Sequence, residues 1–90
     1  MKAYNKVHIA DAASTLVYSG PCVLRYITVN TTAAGATTVA DALSDTTPVV
    51  AILKSSIAEG TYRYDCVMAT GLFVKTGHAD QDITVVYEAL

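Results

Sequence analysis

Thr61-Tyr62-Arg63-Tyr64-Asp65-Cys66-Val67-Met68 alternates apolar or aromatic side chains with polar ones. A two-residue period is that of a β-strand with one buried face, and it sets Tyr62, Tyr64, Cys66 and Met68 on one side and Thr61, Arg63 and Asp65 on the other. The first set is expected in a core. Asp82 to Glu88 repeats the pattern, with Ile83, Val85 and Tyr87 inward and Val86 as an extra apolar residue on the second face. Further out, short β-branched or aromatic runs recur about every ten residues, closed by turn residues, with glycines at 20, 35, 60, 71 and 77. The runs are Lys6 to Ala10, Thr15 to Ser19, Val23 to Asn30, Thr37 to Ala42, Pro48 to Lys54, Thr61 to Met68, Leu72 to Thr76 and Ile83 to Glu88. They predict an all-β chain, a single small β-sandwich or jelly roll of about eight strands. Ser, Thr, Gly and Val interrupt the Ala-rich stretches before three helical turns can form, which leaves room for one helical turn at Ser55 to Glu59.

Ninety residues allow one domain, burying about two thirds of the surface of the open chain. The expected organisation is an N-terminal strand or arm over residues 1–13 and a β-sandwich over residues 14–90. Six Lys and Arg against eight Asp and Glu give a net charge of −2, without the basic footprint of a nucleic-acid binder. No run approaches the roughly 18 apolar residues of a helical membrane span. Met1-Lys2-Ala3-Tyr4-Asn5-Lys6-Val7 alternates instead of entering an apolar h-region, so no secretory signal is read.

Chemistry-bearing residues are sparse. Cys22 and Cys66 lie too far apart for a CxxC pair, and both fall in apolar strands, so they are expected as reduced, buried thiols. His78, Asp80 and Asp82 fall in a polar hairpin loop and lack the further ligands of a cation loop. His8 is the other imidazole. Asp41, Asp45 and Glu59 stand apart from one another, without the paired environment that separates an acid from a base. No phosphate-cradling glycine motif occurs. These features argue against an enzyme and for no cofactor and no metal. Tyr26, Tyr62 and Tyr64 are read as core residues in preference to a stacking platform.

Two strands are apolar on both faces. In Val23 to Asn30, Leu24 and Tyr26 oppose Val23, Ile27 and Val29, and in Pro48 to Lys54, Val49, Ala51 and Leu53 oppose Val50 and Ile52. A small sandwich has one interior, so the second faces need cover from another chain or a bulge that switches faces along the strand. The first alternative makes Val23, Ile27, Val49, Ala51, Leu53 and Val86 interface residues of a homo-oligomer. On that reading Leu53→Asp impairs assembly more than folding. Residues 5–10 are expected either to add to a neighbour's sheet or to form the first strand of the sandwich.

The order Gly20-Pro21-Cys22-Val23-Leu24-Arg25-Tyr26-Ile27-Thr28-Val29-Asn30, Pro48-Val49-Val50-Ala51-Ile52-Leu53, Gly60-Thr61-Tyr62-Arg63-Tyr64-Asp65, Gly71-Leu72-Phe73-Val74-Lys75-Thr76 and Asp82-Ile83-Thr84-Val85-Val86-Tyr87-Glu88 resembles small β-sandwich virion structural proteins of tailed bacteriophages. The likeness covers about residues 14–88. It implies a particle component localised in the virion: a capsid decoration (cement) protein, or alternatively a head-fibre or tail appendage module that contacts a receptor. It also implies a homotrimer and the major capsid protein or another virion protein as partner, with no nucleic acid and no membrane. No functional residue carries over from the resemblance, because such proteins act through surfaces.

Overall fold

Each β-branched run forms a strand in the computed structural model, which describes residues 4–90; Met1 to Ala3, the start of the expected arm, lie outside the described residues. The strands are β1 (Asn5–Ile9), β2 (Ser14–Ser19), β3 (Cys22–Thr31), β4 (Thr37–Ala40), β5 (Val49–Leu53), β6 (Gly60–Met68), β7 (Gly71–Thr76) and β8 (Asp82–Ala89). No helix occurs among the described residues. The helical turn expected at Ser55 to Glu59 is instead a β-turn, in which the Ile57 N–H donates to the Lys54 carbonyl at 3.2 Å. Ser56 adopts φ +61°, which a right-handed helical turn excludes.

Two four-stranded antiparallel sheets result, sheet A in the order β1-β8-β3-β6 and sheet B in the order β2-β7-β4-β5. The pairs β1·β8, β2·β7, β3·β6 and β4·β5 describe one long ribbon, with four strands running out and four back, wrapped over itself. That is the jelly-roll arrangement of a β-sandwich. β1 pairs with β8 of its own chain from Asn5↔Tyr87 to Ile9↔Ile83 and so forms the first strand of sheet A.

The core lies between the sheets. Sheet A contributes Ile9, Cys22, Leu24, Ile27, Val29, Met68, Ile83 and Val85, and sheet B contributes Val17, Val39, Leu53, Leu72 and Val74. Ile83 and Val85 are buried as their alternation requires, whereas Tyr62, Tyr64 and Cys66 are half-buried against the core because β6 is an edge strand. Leu24 and Ile27 are three residues apart yet share the core face. A register shift at Arg25 accounts for this: Leu24 lies opposite Tyr87, and Tyr26 opposite Val86. β6 shifts at the same level, from Leu24↔Cys66 to Tyr26↔Arg63, and Asp65 there has φ +51°. The guanidinium of Arg25 fills the irregularity, donating to Glu88 and, at 3.2 Å, to Asp65.

Candidate interaction face

The two outer faces differ in chemistry. On sheet A, Lys6, Val86, Tyr26 and Arg63 form one cross-strand row, and His8, Thr84, Thr28 and Thr61 form the next. Arg63 lies over the Tyr26 ring at 5.5 Å, Thr28 and Thr61 share a hydrogen bond of 3.0 Å, and Asp82 accepts from His8 at 2.6 Å and from Asn30 at 2.9 Å. The Asn30 and His8 contacts hold the Asp82 carboxyl below the usual carboxylate range. Polar pairs satisfy the middle of this face, while Val67, opposite Val23 on the edge strand β6, is 64% exposed.

The outer face of sheet B carries an apolar band. Leu16, Phe73, Ala40 and Val49 are successive cross-strand neighbours across all four strands. Ile52 adds to the band from the next row, opposite Thr38. Leu43, in the loop after β4, lies over Gly71, where a Cβ would meet its Cδ2 at 2.8 Å. Glycine at 71 therefore makes room for Leu43 on this face. Phe73 forms the floor at 7% exposure, while Leu16, Leu43, Val49, Val50 and Ile52 remain between 39% and 60% exposed. Together they leave a few hundred Å² of apolar side chain in water, on the order of the largest patch of an ordinary monomer.

The residues expected at an interface divide among three environments. Ile27 and Leu53, 0% and 3% exposed, belong to the core, and Ala51 packs against it. Val23 and Val86 do face outward on sheet A, yet they are 8% and 6% exposed within the chain itself. Val49, 51% exposed, is the one of the six that a partner can reach. Two bulges account for part of the correction: the one at Arg25 brings Ile27 to the face of Leu24, and the one at Val50 turns Val49 away from Ala51 and Leu53. Ile52 was legible, since alternation opposes it to Leu53. Leu43 was not, because a loop has no period.

The remaining candidates do not converge. His78 lies 3.9 Å from Asp80, whereas Asp82 is engaged with His8 and Asn30, and among the described residues no group of three His, Cys, Asp or Glu side chains is placed to hold a metal. Gln81, 7% exposed, organises that loop by accepting from the Gly77 and His78 N–H groups and donating to Thr37. Cys22 is buried and Cys66 half-buried, both as free thiols, and burial pushes each thiol up from its ordinary pKa. They occupy diagonal positions on adjacent strands, Cys22 opposite Met68 and Cys66 opposite Leu24. Diagonal Cα separations of about 7–8 Å exceed the usual disulfide span. No family model, curated protein or solved structure matches the chain.

Proposed function

We propose that the chain is a structural protein of a tailed-phage particle, a capsid decoration protein that sits on the shell and ties neighbouring subunits together. The observation that carries this reading is the apolar band on the outer face of sheet B. Uncovered Leu, Val and Ile side chains forgo the free energy that association recovers, and the rigid sheet beneath holds them in one surface. A band of this size is modest for a single contact. Copies repeated over a lattice reach firm attachment by avidity, so each copy needs only a modest surface. The partner is accordingly the major capsid protein or another virion protein, and the chain acts without catalysis, nucleic acid or membrane. The sequence resemblance supplies the setting, a virion assembled in the host cytoplasm.

The experiment is electron microscopy of gradient-purified particles of the phage whose genome encodes the chain, decorated with an antibody against it. Regular labelling over the head is the expected result. Labelling confined to the tail or to fibres would move the chain to an appendage role. Absence of the chain from purified particles would overturn the virion reading.

A further inference from the structure

Four strands form the edges of the two sheets, and β5 differs from the other three. β1 carries Lys6 and His8, β6 carries Arg63 and Asp65, and β2 carries Ser14, Thr15 and Ser19 with a register shift at Val17. Charges of the kind on β1 and β6 keep a sheet edge from recruiting another strand, and the register shift on β2 bends its edge, as the one at Val50 bends the start of β5. β5 reads Val49-Val50-Ala51-Ile52-Leu53, with no polar side chain, and its ladder runs along one side only, to β4. Val49, Val50 and Ile52 are 51%, 39% and 60% exposed. An open backbone edge bordered by uncovered apolar side chains is a template for a further strand.

We propose that this edge binds β5 of a second copy, antiparallel, joining two B sheets into one sheet of order β2-β7-β4-β5-β5′-β4′-β7′-β2′. Three observations select that occupant. The strand is apolar and uncharged along its length, so an identical strand complements it. Charge favours one direction: antiparallel pairing sets Lys54 at the end of one β5 beside the start of the other, four residues after Asp45, whereas parallel pairing would set the two Lys54 side chains together. Area sets the strength. The exposed β5 side chains offer about 250 Å² per copy, so even with the new ladder the contact belongs to the small, weak class below about 1,200 Å² in total.

Pro48 before β5 and the bulge at Val50 confine the contact to a few residues, and an isologous pair closes at two copies. Two is a different number from the three that the sequence resemblance implies. The pairing would also bring the Leu16–Phe73–Ala40–Val49 rows of both copies into one sheet, with the β5 side chains covered at the join. It does not depend on the particle assignment.

Sedimentation velocity of the full chain from about 5 to about 500 μM tests the proposal. A monomer–dimer equilibrium is expected for the wild type. Val49→Lys with Ile52→Lys should weaken it by about a hundredfold or more, because the two-fold axis places each new charge twice at the contact. Leu16→Lys, at the far edge of the same face, should leave it unchanged. All three positions are exposed, so thermal melts matching the wild type will verify that the variants fold. A wild-type monomer throughout the range, a trimer, or a dimer that survives both β5 lysines would overturn the pairing. So would a dimer abolished by Leu16→Lys alone, which would put the contact on the sheet face. Each of these outcomes leaves the location in the particle to the imaging experiment.

Discussion

One carboxylate closes the turn between β6 and β7. Asp41 accepts the backbone N–H groups of Ala69 at 2.9 Å, Thr70 at 2.7 Å and Gly71 at 3.2 Å, and these bonds hold its carboxyl below the usual carboxylate range. Three N–H groups that the turn leaves unpaired are thereby satisfied from another loop. Asp41→Ala should lower unfolding stability by about 2 kcal/mol, the scale of hydrogen bonds to a charged group. The pH dependence follows in sign. In the unfolded chain the group titrates near the ordinary value of about 4, and in the folded chain lower. Its contribution is therefore complete above about pH 4 and is lost as pH falls through the folded value. Thermal melts between about pH 2 and 6 should show a smaller acid-induced fall in Tm for Asp41→Asn than for the wild type. Asp82 titrates in the same direction and keeps that slope from vanishing. An Asp41→Asn curve parallel to the wild type would refute this role. From sequence Asp41 is one of several isolated loop carboxylates. What distinguishes it is a contact with residues 28 to 30 positions away, which no local pattern encodes.

At the scale of the element, alternation locates strands but does not by itself assign faces. β6 and β8 keep the assignment read from their side chains, with Tyr62, Tyr64, Cys66, Ile83, Val85 and Tyr87 in the core or packed against it. β3 and β5 break it. In β5, Val49 would share a face with Ala51 and Leu53, yet the shift between Val39↔Ala51 and Ala40↔Val49 turns Val49 outward and leaves the other two inward. The substitution expected to separate assembly from folding therefore moves by one residue. Leu53→Asp buries a carboxylate in the core and should cost about 4 kcal/mol or more, enough to unfold a domain of this size. Ile52→Asp, at 60% exposure, should change stability by no more than about 0.5 kcal/mol. Urea denaturation of the two variants checks the pair. Equal midpoints would show that β5 lacks the described register.

For the whole molecule, wrapping the ribbon makes sequence-distant pairings the rule. β1 meets β8 and β2 meets β7, so the contacts that close both sheets join opposite ends of the chain. Loop-closure entropy must be met before such contacts form, and topologies of this kind fold in milliseconds to seconds. Refolding by stopped-flow fluorescence of the six tyrosines should run at about 0.1–100 per second, with no microsecond phase that accounts for the full amplitude. Complete refolding within microseconds would be incompatible with a rate set by β1·β8 and β2·β7. The same wrapping gives the molecule two unlike outer faces. Sheet A carries ion pairs and a threonine ladder, while sheet B carries the apolar band.

Fold class and all eight strands, to within about two residues, are legible along the chain, because β-branched runs, glycine punctuation and two-residue periodicity act over a few positions. So are the inward sets of β6 and β8. Which apolar side chains stay uncovered depends instead on contacts made across the folded sandwich. Bulges at Arg25, Val17 and Val50 reset faces without a marker in the local pattern, and Leu43 reaches sheet B only because Gly71, 28 positions away, leaves space for it. The exposed band is thus a property of how the ribbon wraps, since burial depends on what lies across the sandwich and not on the neighbours along the chain.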